Sequence, residues 1–216
     1  MAENIADLYL EGLRAVWEAL GEDAWHEVGE EAPLPLLATA QGASDADLTR
    51  LRTAYPLCPE ALVELLRKVD GTECAVLGSD AEDGDCGYCL KSVDQILTSA
   101  AHDWRATTIR EEYGEDFEVY RANDIDSFHA DYSKASLDGR IDPDVLMNRW
   151  LHFADDWANS GGSSQLYVDF DPLGDGPVGQ VVRFLHDPDS FDVVADSFDE
   201  YLQQLIDAGY PFALPI

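Results

Sequence analysis

The spacing of apolar positions changes period twice along the chain, from helical to strand-like and back, and each change predicts a kind of element. Ile5, Leu8, Tyr9, Leu13, Val16, Trp17 and Leu20 recur at helical spacing, and Gly21 reads as the stop. The acidic stretch that follows, with Pro33 and Pro35, reads as a loop or linker. Ser44 suits the N-cap of a helix carrying Leu48, Leu51 and Tyr55, which Pro56 ends. Pro59 suits the first turn of the next helix, where Leu62, Leu65, Leu66 and Val69 share a face and Gly71 follows as terminator. Strand candidates at 74–77 and 87–90 flank an acidic turn. Ser92 and Gln95 match a capping box and open one long helix to about Gly114, with Ile96, Leu97, Ala100 and Trp104 inward.

The strand-like part is centred on 150–186. Leu166, Val168 and Phe170 fall on one face of a strand, and Tyr167, Asp169 and Asp171 on the other. The segment QVVRFLH is apolar on both faces except at Arg183, as in a strand buried on both sides. Between them, DPLGDGP carries Asp-Pro and Asp-Gly turn signals, so residues 164–186 are predicted to form a central antiparallel hairpin. Trp150, Leu151 and Phe153 predict a third strand beside it, and Phe191 to Ala195 a short further one. Ser197 and Glu200 form a second capping box for a closing helix with Tyr201, Leu202, Leu205 and Ile206 inward, ended by Gly209 and Pro211. Residues 114–144, with nine acids against three bases, show no regular period. Helices first, then mainly sheet, then a helix indicate an α+β fold: a single domain with a mainly antiparallel central sheet, a helix-rich N-terminal half and a closing C-terminal helix. Residues 1–31 form an N-terminal helix and acidic linker, either appended or packed on the core, and 32–216 the main domain.

Charge narrows the function classes. Thirteen Lys and Arg stand against 44 Asp and Glu, a formal net charge of −31, and from Leu151 onward there are twelve acids and only Arg183 as a base. Such a surface repels phosphate backbones and anionic membranes, so neither nucleic acid nor membrane is an expected partner. It attracts a basic protein and speeds the encounter. The same acidity also suits solubility or salt adaptation, which unfolding in low and multimolar salt separates. No apolar run reaches the ~18 residues of a membrane helix, and the acidic start lacks a signal-peptide n-region, so a cytoplasmic location is expected.

Candidate chemistry is sparse. Cys86 and Cys89 have C-x-x-C spacing, but no second pair completes a zinc site, and with Cys58 and Cys74 they read as structural thiols. Residues 174–179 fit G-x-G-x-x-G, yet a strand follows instead of a helix, so the segment reads as a hairpin turn. His26, His102, His129, His152 and His186 show no metal-pair spacing, and a His152–Ser164 pairing finds no G-x-S-x-G support. Asp155, Asp156, Asp169 and Asp171 are the notable carboxylates. A metal-dependent hydrolase would use Asp155, Asp169 and Asp171 as a cluster, but the calcium-loop pattern is absent; a solvated, partner-facing strand surface is the simpler expectation, with no metal and no cofactor.

One resemblance is specific. Asn148-Arg149-Trp150-Leu151-His152-Phe153-Ala154-Asp155, Gly161-Gly162, Tyr167-Val168-Asp169-Phe170-Asp171-Pro172, Gly179-Gln180-Val181-Val182, His186-Asp187 and Val193-Val194-Ala195-Asp196-Ser197-Phe198 with Leu202 together resemble the SUKH superfamily, over roughly Pro33 to Ala208. Its members include fungal cell-wall assembly regulators (the Smi/Knr group) and bacterial immunity proteins that neutralise toxins. The resemblance implies one α+β domain without enzymatic activity that binds a protein, here a cognate toxin of basic character. The alternative it implies is a regulatory scaffold. The partner-binding residues expected are Asp155, Asp156, Asp169 and Asp171.

Overall fold

The computed structural model describes residues 4–28, 32–79, 86–101, 106–114, 116–120, 134–156, 164–186 and 189–214. Helices α1 (Ile5–Val28), α2 (Pro33–Thr39), α3 (Asp45–Ala54) and α4 (Glu60–Lys68) precede strands β1 (Leu77–Ser79) and β2 (Cys86–Leu90). Helices α5 (Val93–Ala100) and α6 (Ile109–Tyr113) follow, then β3 (Phe117–Tyr120) and β4 (Ala135–Asp138). A 3₁₀ turn at Met147–Arg149 leads into β5 (Leu151–Asp156), β6 (Ser164–Asp169), β7 (Gln180–Leu185) and β8 (Ser190–Ala195), and α7 (Phe198–Asp207) closes the chain.

One eight-stranded sheet runs β1-β2-β5-β6-β7-β8-β4-β3. All pairs are antiparallel except β8–β4 and β4–β3, which are parallel. The expected hairpin is the β6–β7 pair, in register from Ser164↔Leu185 to Asp169↔Gln180 at the middle of the sheet. The positions on β6 and β7 alternate between two cores. Leu166, Val168 and Val181 join the larger one, shared with α1, α3, α4 and α7, while Tyr167 and Val182 join a smaller one with Ile109, Leu137, Trp150 and Phe191. Both faces of the central strands are therefore covered, which is why β7 reads as nearly continuous apolar sequence.

Helix α1 belongs to the larger core. Ala6, Tyr9, Leu10, Leu13 and Trp17 are buried along one stripe. The Tyr9 hydroxyl donates to the Val76 carbonyl (2.6 Å), the Trp17 indole to Ala213 (3.2 Å) and the Tyr210 hydroxyl to Tyr9 (3.0 Å). These contacts seat α1 against the larger core.

Several expectations are corrected. Gly21, at φ 73°, kinks α1 and does not end it: with no Cβ it absorbs the left-handed conformation, and helix resumes to Val28. Pro33 opens α2 at its first turn, where a missing N–H costs nothing, so the supposed linker is partly helical. The single long helix after Ser92 is two. Ser92 and Gln95 form the expected box, but Thr108 is extended (φ −101°, ψ 161°) and builds a box of its own with Glu111. Trp104 lies outside the described residues. Gly114 does cap the second piece. The first strand lies slightly later than expected, at Leu77–Ser79. Residues 114–144 contain β3 and β4, which extend the sheet through parallel pairing. In α7, Ser197 accepts from the Glu200 N–H, but the Glu200 carboxylate accepts from the Asp196 N–H (3.2 Å), so that cap is not the reciprocal box.

Candidate protein-binding surface

The antiparallel register decides the fate of the four aspartates. Leu151 pairs with Val168 and Asp155 with Gln165, so Asp155 and Asp156 end β5 where β6 begins, and Asp169 ends β6 where β5 begins. The two pairs stand about 14 Å apart along the ladder, four residues at strand rise. They do not converge, and the Asp155–Asp169–Asp171 cluster that a metal-dependent hydrolase would need is not formed. Among the described residues no group of three His, Cys, Asp or Glu side chains is placed to hold a metal ion.

Each aspartate has its own task. Asp169 is 0% exposed, lies beside the Trp150 side chain and accepts from the Asp171 backbone N–H (2.9 Å) and Gln180 Nε2 (2.9 Å). Burial pushes its carboxyl above the ordinary range and these donors oppose the push. The expectation that Asp169 faces solvent fails here, because β6 is covered on both faces. Trp150, Asp169, Gly179 and Gln180, which carried the resemblance, thus assemble one internal network: Gly179, at φ 94°, donates its N–H to the Asp169 carbonyl (2.7 Å), and Gln180 also donates to the Arg140 carbonyl (3.2 Å).

Asp155 is half-buried against the Lys91 ammonium, with His152 Nε2 at 2.7 Å from its Oδ1. Burial disfavours its ionised form, but the His152 ring and Lys91 outweigh it and hold the carboxyl at about 2. His152 Nδ1 lies 2.8 Å from Ser99 Oγ, completing a Ser99–His152–Asp155 chain. Spacing did not point to Ser99. The residue imagined with His152, Ser164, instead donates to the Phe184 carbonyl (3.0 Å) and pairs with the Tyr88 hydroxyl (2.6 Å). Ser99 and His152 are buried, and neither lines the concavities described below, where a substrate carbonyl would have to meet a nucleophile. Asp156 is buried at the end of β5. Asp171 reaches the surface and pairs with Arg149 Nη2 (2.9 Å).

The thiols are structural in character: burial pushes Cys58 and Cys89 up to about 12 and Cys74 to about 11, so all three stay protonated at neutral pH. The Cys86 side chain lies outside the described residues. Residues 174–179 form the β6–β7 turn, with Gly174 and Gly179 at positive φ.

Two of the concavities among the described residues flank the sheet. A groove of about 590 Å³ lies between the end of α3, helix α5 and the end of β6, lined by Tyr55, Leu57, Leu97, Arg149, Phe170 and Asp171 among others. A recess of about 320 Å³ opens over the smaller core, walled by Tyr113, Trp150, Tyr167, Phe184 and Phe191, with Glu112 at its edge. Its aromatic residues are scattered over the chain and read individually as core, so nothing in the sequence linked them.

Surface charge is one-sided. Among the described residues, every Lys and Arg except Arg14 lies against a carboxylate of the chain itself. No helix among them is long and apolar enough to cross a membrane.

No curated protein matches the chain. The model of the SMI1 / KNR4 family (SUKH-1) matches it over residues 42–204, from just before α3 into α7. That span covers more than half of the sequence and all eight strands, and the protein belongs to the SMI1 / KNR4 family (SUKH-1).

Proposed function

We propose that this chain is a non-catalytic protein-binding domain that neutralises a toxin by covering the toxin's basic, substrate-binding face. The observation that carries this is the state of the cations: apart from Arg14, each described one is engaged with an internal carboxylate. What remains at the surface is a carboxylate excess, set against a net charge of −31. A nuclease or any other phosphate-handling toxin must carry a positive groove, and an acidic surface can occupy it. Of the four aspartates first expected to make contact, Asp156 and Asp169 are buried, Asp155 and Asp171 are partly exposed and paired with Lys91 and Arg149, and the exposed Asp175 lies in the same turn as Asp171.

Stopped-flow association with the toxin encoded beside the gene, across a salt series, tests this. The rate is expected to fall steeply as salt rises, and Asp171→Asn with Asp175→Asn to slow it several-fold at low salt with little change in dissociation. A rate independent of salt and unchanged in the double variant would rule out the acidic surface.

A further inference from the structure

The recess over the smaller core has walls of unusual chemistry. Trp150 meets Tyr167 edge-on at 5.7 Å between ring centroids and Phe191 at 6.3 Å. Tyr113 stands edge-on to Phe191 at 6.0 Å, and Phe184 lies against Phe191 at 4.8 Å. The Trp150, Tyr167, Tyr113 and Phe191 rings thus meet at steep angles, while Phe184 is tilted by 38° on Phe191. Both tyrosine hydroxyls are engaged elsewhere, Tyr113 with Asp189 (2.7 Å) and Tyr167 with Gln165, so the walls offer ring surface and not phenol groups. At the edge stands Glu112, an exposed carboxylate in the first turn of α6. The neighbouring Arg110 turns away from it to Asp144 (2.6 Å).

Three magnitudes select an occupant. A recess of about 320 Å³ lies at the small end of ligand pockets, which run from about 300 to 1,000 Å³, and has room for one long side chain. Aromatic faces attract cations by about 0.5–2 kcal/mol, most strongly where water is excluded. The protein's negative field and Glu112 both favour positive charge at the mouth.

We propose, building on the protein-binding function above, that this aromatic recess receives a lysine or arginine side chain of the basic partner, with its charged end over the partly exposed Tyr113 and Phe184 rings and beside Glu112 at the mouth. The acidic surface then brings the partner close, and the recess fixes its register.

The test uses the intact chain and small probes, so it does not depend on any toxin. N-acetyl-lysine methylamide is titrated in NMR, following the Trp150 indole and the Phe184 and Tyr167 ring signals, with neutral N-acetyl-norleucine methylamide as the comparison. The lysine probe is expected to shift these signals and to bind about tenfold more tightly than the norleucine probe, the range of a cation over aromatic rings. Glu112→Gln, an exposed change that leaves the fold intact, should weaken the lysine probe up to roughly fivefold and leave the norleucine probe unchanged. Phe184→Leu should cut the preference for lysine while keeping an apolar wall. Equal binding of the two probes, or no shift of these signals with lysine, overturns the assignment. Because the titration holds no partner protein, loss of the salt-dependent association leaves it standing, and its own failure leaves the acidic-surface function standing.

Discussion

At the scale of single residues, the sequence showed where special chemistry lies but not what it is for. The Asp169-Phe170-Asp171 alternation is real, yet alternation cannot tell a solvated face from one covered by a second, smaller core. Asp169 consequently looked like a surface acid and is a buried acceptor for two donors. Replacing it with Ala removes the acceptor of the Asp171 N–H and leaves the Gln180 amide only its bond to the Arg140 carbonyl, at a cost of about 3 kcal/mol. Asp169→Asn, which keeps one acceptor oxygen, should cost less, and urea midpoints order the two. Asp155 gives a pH signature. Its folded carboxyl sits at about 2, below the ~3.9 of an unfolded Asp. A depressed carboxyl contributes stability that is fully present above the unfolded value and is lost as pH falls through the folded one. The contribution is on the order of 1–2 kcal/mol after discounting solvent screening of a carboxylate about one-third exposed. Asp155→Asn should therefore be less stable than the parent at pH 7, and the gap should close as pH falls from about 4 toward 2.

At the scale of elements, local signals served where they were self-contained. The Ser44 cap, the Ser92–Gln95 box and the β6–β7 turn each need only a few neighbouring residues, and each lies where the sequence places it. What failed depended on distant partners. β3 and β4 are short, and they join the sheet because β4 pairs in parallel with β8, some fifty residues later, and β3 in parallel with β4, which periodicity does not reveal. Helix α1 shows how a tertiary contact overrides propensity. Gly12→Ala should raise helix propensity by about 1 kcal/mol, but its Cβ would lie 2.1 Å from the Tyr210 hydroxyl oxygen. The ring must shift and its hydrogen bond to Tyr9 is lost, so the net effect is a destabilisation of about 1–2 kcal/mol. Adding Tyr210→Phe, which removes the nearest of the clashing atoms, should make Gly12→Ala cheaper, a coupling that a double-mutant cycle reads directly. Deleting residues 1–31 is more severe. Tyr9, Leu10, Leu13 and Trp17 are all buried. At about 2 kcal/mol each they equal a large share of the ~5–15 kcal/mol that holds a domain together. The truncated chain is expected to lose cooperative unfolding, although the family match begins after this helix.

At the scale of the whole molecule, the charge imbalance was legible from composition, and the structure adds how it is distributed. Short-range pairs hold nearly all described cations, so the acids left over face one another through solvent. Repulsion of this kind acts over about 8–10 Å at 0.1–0.15 M salt and is largely screened by 1 M, where the Debye length is about 3 Å. Salt adaptation behaves otherwise, since it needs multimolar salt to reach full stability. The two accounts separate in one experiment: urea unfolding from 10 mM to 3 M sodium chloride. For a protein whose acidity serves association, stability should rise by a few kcal/mol at most and level off below about 1 M, as screening saturates. Over the same interval the association rate with a basic partner should fall, because the field that destabilises the lone chain is the field that attracts the partner. Stability that keeps climbing into the molar range would assign the charge to the solvent and not to a partner. Chloride also screens the internal pairs, so Arg140→Met, which removes the guanidinium from Asp138 and Asp196, should lower stability more at 10 mM than at 1 M.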